Sequence, residues 1–376
     1  MAEAAPLSPA DRLPLVDVLR GVAILGVLLS YTLWSLGTSP EQEWSRLDRA
    51  IDWLGDLLVD GKFITLFAFM FGVGTSQQWR RIAASGRNPV PIYLRRMAFL
   101  FVAGILHGAL LRDGDILAPY AITGLLLLPF RTAPRRVLIA SACLLLLVPY
   151  VLEIGLEAAG VSMPSRPGPL AGNLAWMRYW YLTNPLFSWP RVLALMVLGV
   201  LADRTGTLSR LAKDSAFADR VFAAALAGAV VARIGVELLT SRLQGMPWTA
   251  THRVPIYAAH HVAAWLLATA YAGGFALLCQ RPGWADRLQW LRAEGRMAFT
   301  NYVLQAGIVV PICLAFGLFD TVRPTLGLAL AVGVGAVQIA FSVWWLRRHP
   351  FGPMEWLWRR VTYGRAPGAP QLASAS

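Results

Sequence analysis

The sequence predicts an all-α protein, a polytopic membrane helix bundle of about ten transmembrane helices. Composition is the first reason: 56% of the 376 residues are hydrophobic and only 15% are charged, whereas roughly 25% of the residues of a soluble domain are charged. The second reason is the recurrence of apolar runs near the length that crosses a bilayer, roughly 20 residues. The distribution of arginine then gives the orientation of the bundle.

Apolar runs bordered by arginine, or by proline and glycine clusters, are predicted to be the membrane spans. The first run begins close to Met1 and carries Asp17 and Arg20. It is about twice as long as the apolar part of a signal peptide, so we expect a retained helix. In chain order the predicted spans cover residues 14–37, 61–79, 93–112, 115–131, 136–158, 187–203, 217–239, 256–279, 297–320 and 324–346.

If the N-terminus is cytoplasmic, most of the 34 Lys and Arg residues lie on the cytoplasmic side. Cytoplasmic loops of membrane proteins are enriched in these residues, so both termini are predicted to be cytoplasmic (N-in and C-in). Residues 1–13 then form an N-terminal segment, residues 14–346 the bundle, and residues 347–376 a tail with a short interfacial helix. This asymmetry also accounts for the net charge of +13. The expected partner is the lipid bilayer, and no nucleic acid is expected.

Metal-binding signatures are not evident in the sequence. The three cysteines, Cys143, Cys279 and Cys313, lie within apolar runs at spacings that match no metal site or disulfide framework. His260 and His261 are adjacent, so they face different sides of a helix, whereas metal-binding histidine pairs on helices are four residues apart. We therefore expect no metal and no tightly bound cofactor.

The longest predicted loop, residues 159–186, ends in the aromatic sequence WMRYWY. Trp and Tyr rings favour the headgroup level of a membrane. This segment is expected to lie at the outer interface, either as a simple anchor or as a lid over a pocket.

Polar residues within the spans are the strongest indication of function, because an ionisable group at mid-bilayer costs at least about 2.5 kcal/mol unless it is paired or hydrated. These residues fall into two layers. The outer layer contains Tyr31, His107, Arg112, Asp113, Asp115, Arg233, Glu237, His260 and His261. The inner layer contains Asp17, Arg20, Arg95, Arg96, Arg296, Asn301, Tyr302 and Gln305.

The outer layer suits a polar cavity with a general base. His107 is the natural base because the pKa of imidazole lies near neutral pH, and Asp115 would orient it or bind a substrate hydroxyl or amine. Gly104 and Gly108 flank His107 and permit close approach of another helix. The candidate acceptor-binding residues are Arg112, Asp113, Arg233, Glu237, His260 and His261. Structural alternatives are an ion pair between Arg233 and Glu237, and helix capping by Asp113 and Asp115.

The inner layer suits an anion clamp, because guanidinium groups beside amide donors bind phosphates. The candidate cofactor-binding residues are Asp17, Arg20, Arg96, Arg296 and Asn301. Anchoring by cytoplasmic arginines explains Arg96 equally well, but it does not explain Arg20 inside a helix.

Several sequence blocks together carry a resemblance to a known family. They are LVDVLRGVAILGVLL, KFITLFAFMFGVG, HGALLRDGDILAPYAITG, GRMAFTNYVLQ and HPFGPMEWLWRRVTYGR. In this order they are similar to the YeiB-like family of bacterial inner-membrane proteins, a family defined by a domain of unknown function. The resemblance extends over nearly the whole chain and implies a multi-pass protein of the bacterial inner membrane.

The remote relatives of that family are transmembrane acyltransferases, including the heparan-alpha-glucosaminide N-acetyltransferase type and the acyltransferase-3 type. They use cytoplasmic acyl-coenzyme A (acyl-CoA) to modify acceptors across the membrane. In the acyltransferase-3 type, the arginine of the first helix is followed by a histidine after ten residues. Arg20 matches that arginine, but Tyr31 occupies the position of the histidine. Since tyrosine has a pKa near 10 and is a poor base, either His107 replaces the histidine or the reaction is not catalysed.

The resemblance and the two polar layers together lead to one hypothesis. An acyl group, most simply acetyl, would pass from cytoplasmic acyl-CoA, as a co-substrate, to a hydroxyl or amine of a small or glycan-like acceptor reached from outside. His107, Asp115 and Tyr31 are the candidate catalytic residues. A transporter or exporter of a small polar metabolite would use the same layers as gates. A third alternative is a non-catalytic membrane scaffold or sensor.

Overall fold

The computed structural model describes residues 13–36, 43–111, 115–161 and 172–364. Helices dominate these ranges, and they contain no β-strand. The helices are α1 (Pro14–Ser30), α2 (Arg46–Leu58), α3 (Lys62–Ala84), α4 (Pro89–Leu110), α5 (Leu117–Leu126), α6 (Arg135–Ala158), α7 (Gly172–Arg204), α8 (Thr207–Lys213), α9 (Ser215–Leu243), α10 (Ala250–Gln280), α11 (Trp284–Arg287), α12 (Gln289–Arg296), α13 (Ala298–Phe316), α14 (Pro324–Leu346) and α15 (Pro353–Tyr363).

Within the described ranges, nine helices are long and apolar enough to cross a membrane. They are α1 with its π-helical extension Tyr31–Ser35, then α3, α4, α6, α7, α9, α10, α13 and α14. The expectation of an all-α polytopic bundle is confirmed.

The predicted span over residues 115–131 is shorter than expected. α5 contains only 10 residues, and a 3-10 turn over Leu128–Arg131 follows it. Pro129 explains this end, because proline lacks an N–H group and disfavours α geometry in the residue before it. Packing against α4 and α7 buries Ala118, Tyr120 and Ala121. α5 is therefore a short interior helix whose polar ends are held by its neighbours.

Residues 172–186 are helical rather than part of a long loop. α7 has 33 residues, about 50 Å at 1.5 Å per residue, whereas the hydrocarbon core of a bilayer is roughly 30 Å thick. Its first turns, which carry the aromatic sequence, therefore extend beyond the core on the outer side. The rest of the predicted loop, residues 162–171, lies outside the described residues.

Contacts between helix ends define the two faces of the bundle. On the face predicted to be cytoplasmic, Gln78 of α3 donates to the Tyr363 hydroxyl of α15 at 2.7 Å. On the outer face, the Trp34 indole donates to Asp52 of α2 at 3.0 Å. α2 is capped by the reciprocal hydrogen bonds of Ser45 and Asp48, so the segment between the first and second spans forms an ordered helix at the outer end.

Small residues allow the central helices to approach closely. A β-carbon at Gly72 of α3 would overlap the backbone of Met196, and one at Gly199 of α7 would overlap the Phe69 carbonyl. The GVG sequence of residues 72–74 is thus a helix-packing element. α1, α3, α4, α5, α7 and α13 share one buried apolar cluster, which includes Ile24, Tyr93, Met97, Met196 and Tyr302. This cluster surrounds the deep part of the cavity described next.

Candidate functional site

A cavity of about 820 Å³ opens at the face predicted to be cytoplasmic and extends into the bundle. Helices α1, α3, α4, α5, α13 and α15 contribute most of its walls. Its shallow part is lined by charged side chains. Its deep part is lined by Phe67, Leu100, Leu117, Tyr120 and Tyr302. The cavity therefore changes from a basic mouth to an aromatic and apolar interior.

The mouth carries an excess of positive charge. Three carboxylates, of Asp17, Asp203 and Glu355, also line it. Asp203 is engaged by Arg80 at 2.8 Å and by the Ser76 hydroxyl at 2.6 Å. The cationic residues at the wall are Arg20, Arg80, Arg81, Arg87, Arg96, Lys213, Arg296 and Arg359. Because cations outnumber carboxylates, the mouth favours an anionic ligand.

Arg20 lies against α3 because Gly74 has no side chain. A β-carbon at Gly74 would come within 2.8 Å of the Arg20 Nη2 atom. The guanidinium is 3.7 Å from the Asp17 carboxylate, one helical turn earlier. The structure thus places Asp17 and Arg20 together at the cavity wall, as the sequence predicted, with the arginine side chain 31% exposed.

Arg96 forms the opposite wall and is held in place by a defined set of neighbours. Its guanidinium donates to Gln78 Oε1 at 2.6 Å and lies over the rings of Phe71 and Trp358, at 5.0 and 5.2 Å from the ring centroids. These cation–π contacts and the hydrogen bond to the Gln78 amide restrict the guanidinium to one orientation. Arg296 also lines the cavity and donates to the Pro350 carbonyl at 3.1 Å.

The tail helix α15 is a wall of the cavity, which sequence reasoning did not anticipate. Trp356, Trp358 and Tyr363 of this helix line the cavity. Glu355 anchors the helix to the N-terminus of α13: its carboxylate accepts the N–H groups of Phe299 and Thr300 at 2.8 and 3.1 Å, and the Thr300 hydroxyl at 2.5 Å. Burial raises the pKa of Glu355, and these hydrogen bonds partly oppose the rise.

Three polar side chains meet directly behind the deep end of the cavity. The Tyr302 hydroxyl donates to Asp115 Oδ1 at 3.1 Å. His107 Nδ1 lies 3.1 Å from the same carboxylate oxygen, and the His107 ring lies 4.9 Å from the Tyr302 ring. The side chains of His107 and Asp115 are only 2% and 5% exposed. Both ring nitrogens of His107 are buried, and neither makes a hydrogen bond of good geometry among the described residues.

Asp115 also forms the start of α5. Its Oδ2 atom accepts the Ala118 N–H at 2.9 Å, which is the hydrogen bond of a helix cap. The Tyr302 oxygen accepts the Ile116 N–H at 3.1 Å. A β-carbon at Gly104 would overlap Ala118, so the glycine of α4 is what lets α5 bring Asp115 against His107. The capping role and the contact with His107, which the sequence offered as alternatives, coexist.

The remaining outer residues form a separate group on α2, α9 and α10. Arg233 lies 2.6 Å from Asp56 and 2.6 Å from Glu237, and His260 Nε2 lies 3.1 Å from Asp60. The expected pair of Arg233 with Glu237 forms. Potential ligand atoms of Asp56, Asp60 and His260 lie within 4.8 Å of one another, so α2 and the turn after it bring two carboxylates to a histidine that has none nearby in sequence. Arg233 already balances Asp56, which favours an ion-pair network over a metal site.

His260 and His261 face different neighbours, as their adjacency requires. His261 Nδ1 and the Tyr150 hydroxyl are 2.8 Å apart, and the histidine ring stacks on Trp265. The single outer layer predicted from depth therefore divides into distinct clusters on different helices.

Four predicted residues do not join either group in the described structure. Tyr31 packs in an apolar cluster with Leu28, Val309 and Cys313, and its predicted catalytic role stays a prediction. Asn301 is fully buried and faces Glu294 and Ser342 rather than the cavity. Arg112 and Asp113 lie outside the described residues.

Tyr302 is the most informative residue that sequence reasoning undervalued. It appeared only as a member of the inner layer, yet it lines the cavity and contacts both His107 and Asp115. The block GRMAFTNY was the available signal. Gln78, which accepts a hydrogen bond from Arg96, and Tyr363, which accepts one from Gln78, had no sequence signal beyond their positions near helix ends.

Comparison with known proteins gives similarity over almost the entire length. Residues 202–365 match the family described as "Protein of unknown function (DUF418)". The chain is 29% identical to "Uncharacterized protein YxaH" of Bacillus subtilis (strain 168), over 96% of this chain and 97% of that protein. It is 28% identical to "Uncharacterized 39.9 kDa protein in amylase 3'region" of Bacillus acidopullulyticus, over 96% of each chain. It is also 28% identical to "Uncharacterized protein YeiB" of Escherichia coli (strain K12), over 97% of this chain and 100% of that one. No solved structure matches.

Proposed function

The chain is similar to the family described as "Protein of unknown function (DUF418)" and to the uncharacterized proteins YxaH and YeiB, and we propose that it is a member of this YeiB-like family and an acyltransferase of the bacterial inner membrane. The donor is acyl-CoA bound from the cytoplasm, and acetyl-CoA is the simplest case. The acceptor is a hydroxyl or amine on a small or glycan-like molecule. The observation that carries this proposal is the continuity from the arginine-rich mouth, through an apolar cavity, to Tyr302 and the buried pair of His107 and Asp115.

The chemical groups along acyl-CoA match the lining of the cavity from its mouth to its deep end. Coenzyme A carries its phosphates at one end and its thioester at the other, with an uncharged arm between them. Guanidinium groups such as those of Arg20 and Arg296 would hold the phosphates at the mouth. The apolar deep wall would hold the arm, so that the thioester carbonyl reaches Tyr302. A volume of about 820 Å³ lies within the usual range for sites of this kind.

His107 supports the role of base because of its two different nitrogen atoms. Nδ1 faces Asp115, which would favour a proton on that nitrogen and stabilise the imidazolium formed during reaction. Nε2, the nitrogen that does not face Asp115, is the atom that would accept the acceptor's proton. Tyr302, at the cavity wall, would turn its hydroxyl from Asp115 to the thioester oxygen as negative charge develops there.

The chemical step then balances without a further reactant. The acceptor oxygen or nitrogen attacks the thioester carbon, and His107 removes its proton. The carbon–sulfur bond breaks, His107 returns the proton to the sulfur, and coenzyme A leaves as the thiol. The residues around Gly108, where Met177 of α7 approaches, are the expected route for the acceptor from the outer side.

Binding of radiolabelled acetyl-CoA to protein in nanodiscs tests the donor site. Arg20→Gln should weaken binding at least about tenfold, since a charge-assisted hydrogen bond contributes about 1.5 to 3 kcal/mol. Arg220→Gln is the matched control, because Arg220 is an exposed arginine on the cytoplasmic end of α9 that does not line the cavity. Equal affinity of both variants, or no saturable binding by the parent, would contradict the proposal.

Export of a small anionic metabolite is the second candidate function, because the cavity opens toward the cytoplasm and is backed by buried polar groups. Several long helices contain interior prolines, among them Pro190 of α7 and Pro311 of α13, and proline-broken helices occur in transporters. Sealed vesicles distinguish the two functions. Export accumulates unaltered substrate in the lumen, whereas acyl transfer releases free thiol and leaves the acyl group on an acceptor.

A further inference from the structure

The junction of α12, α13 and α14 contains a buried polar cluster that the proposed reaction does not use. Its residues are Glu294, Asn301, Gln338 and Ser342, each of them 0% exposed. Asn301 Nδ2 donates to Glu294 Oε2 at 2.8 Å and to Ser342 Oγ at 2.9 Å. Gln338 Nε2 donates to the same carboxylate oxygen at 2.7 Å. None of these four side chains lines the cytoplasmic cavity.

The cluster has more acceptors than donors. Glu294 Oε1, Asn301 Oδ1 and Gln338 Oε1 are all buried without a hydrogen-bond partner among the described residues. An unmatched buried acceptor costs about 1 to 3 kcal/mol, and more when it is charged. Native proteins therefore rarely keep three such atoms together without a ligand that compensates them.

The unmatched amide oxygens lie around the Glu294 carboxylate. In an amide or a carboxylate the two polar atoms are separated by roughly 2.3 Å, as bond lengths and angles require. Since both amide nitrogens lie within 2.8 Å of Glu294 Oε2, both amide oxygens lie within about 5 Å of that atom. The Ser342 hydroxyl is a fourth oxygen at the same place.

Neighbouring cations do not supply the missing charge. Arg292 precedes Glu294 by two residues in α12, so it projects from a different side of the helix and lies near Cys279 of α10. On α1, which packs against α12, Arg20 lies beside Asp17 and faces the cavity.

We infer that Glu294, Asn301, Gln338 and Ser342 form a buried binding site for one alkali-metal cation. Oxygen atoms are the ligands that hard cations prefer, and carbonyl-type oxygens replace the hydration shell of such ions in membrane proteins. One carboxylate matches one positive charge, which favours a monovalent over a divalent ion. The inference does not depend on acyl transfer.

The test is the thermal stability of the purified full-length protein at pH 8 in chloride salts of equal ionic strength. Lithium, sodium and potassium chloride are compared with N-methylglucamine chloride, whose cation is too large for the cluster. A cation that binds only the folded state raises Tm in proportion to the logarithm of its concentration above Kd. We expect one alkali ion to give such a concentration-dependent rise. Identical Tm values in all four salts would overturn the inference and assign the cluster to a trapped water molecule or a bound proton.

A matched pair of variants tests whether the cation-dependent rise in Tm comes from this cluster. Gln338→Met removes an amide that contacts Glu294 and should abolish the cation response. Gln305→Met makes the same change at a buried residue of α13 that donates to the Ile24 carbonyl, and should preserve it. Ser342→Ala, which removes one oxygen and little volume, should shift the response to higher concentration and covers the case in which Gln338→Met does not fold. A cation response that survives in both Gln338→Met and Ser342→Ala would also overturn the inference.

Discussion

Replacement of Asp115 by asparagine and by alanine separates its structural contacts from its charge. Its carboxylate caps α5 through the Ala118 N–H and accepts the Tyr302 hydroxyl, while its Oδ1 atom faces His107. Asparagine caps a helix as well as aspartate does, and its oxygen still accepts the tyrosine hydroxyl. Alanine removes every one of these contacts.

The expected magnitudes follow from those contacts. Loss of a helix cap costs about 1 kcal/mol, and loss of a hydrogen bond to a charged group costs about 1.5 to 3 kcal/mol. Asp115→Ala should therefore lower the free energy of unfolding by about 3 kcal/mol, and Asp115→Asn by about 1 kcal/mol or less. Acyl transfer should be lost in both variants, because neither can stabilise a His107 imidazolium.

Unfolding in mixed micelles, driven by sodium dodecyl sulfate and followed by circular dichroism, measures these losses. Asp214→Ala is the control and should cause a smaller loss, because Asp214 caps α9 through the Phe217 N–H and its side chain is 39% exposed. Tyr302→Phe combined with Asp115→Ala should be less destabilising than the sum of the two single variants, since they remove the same hydrogen bond. The reasoning is refuted if Asp115→Asn destabilises as much as Asp115→Ala.

Three further predictions follow from other contacts. In the GVG sequence, Gly72→Ala should lower the free energy of unfolding by about 1 to 3 kcal/mol, because the new methyl group meets the Met196 backbone. Gly74→Ala should instead displace the Arg20 guanidinium and mainly weaken acetyl-CoA binding. Equal effects of both changes on stability would count against this assignment. Burial raises the pKa of Glu294 from 4.5 to about 7, so in N-methylglucamine chloride the stabilisation by its protonated form is complete below pH 4.5 and is lost as the pH rises through 7. Tm should fall more over that range in the parent than in Glu294→Gln, in which Glu355, whose pKa burial also raises, is unchanged; parallel profiles would exclude Glu294 as the group. Glu355→Ala should release α15 from the N-terminus of α13, so that trypsin cleaves after Arg359 or Arg360 faster than in the parent, and unchanged cleavage would show that other contacts hold the helix.

The membrane spans were predictable because their signal is local. Length and apolarity of each run identify helices such as α6 and α14 without any knowledge of their neighbours. The length of α5 was overestimated because its apolar run continues through Leu127 and Leu128 to Pro129, and hydropathy does not show where a helix ends. The length of α7 was underestimated because the composition of its aromatic first turns resembles that of an interfacial loop.

The candidate site was predictable in its members more than in its geometry. Depth along each helix correctly placed Arg20 and Asp17 together, and His107 with Asp115. Depth along a helix does not give the rotation of that helix or the order of the helices in the bundle. It therefore grouped His260 and Arg233 with His107, although their partners lie on α2 and the turn after it. Tyr302 meets Asp115 across 187 positions of sequence, and only the packing of α13 against α4 and α5 brings them together.

The central claim is that a cytoplasmic acyl-CoA is consumed at His107. The most direct test is release of coenzyme A thiol from acetyl-CoA, measured on native membrane vesicles that contain the protein and its acceptor, with the cytoplasmic face exposed. We predict thiol release with transfer of the acetyl label to a membrane or glycan fraction by the parent protein, and loss of both in His107→Ala while acetyl-CoA binding remains. Saturable binding by the parent without thiol release, or undiminished release by His107→Ala, would contradict the account.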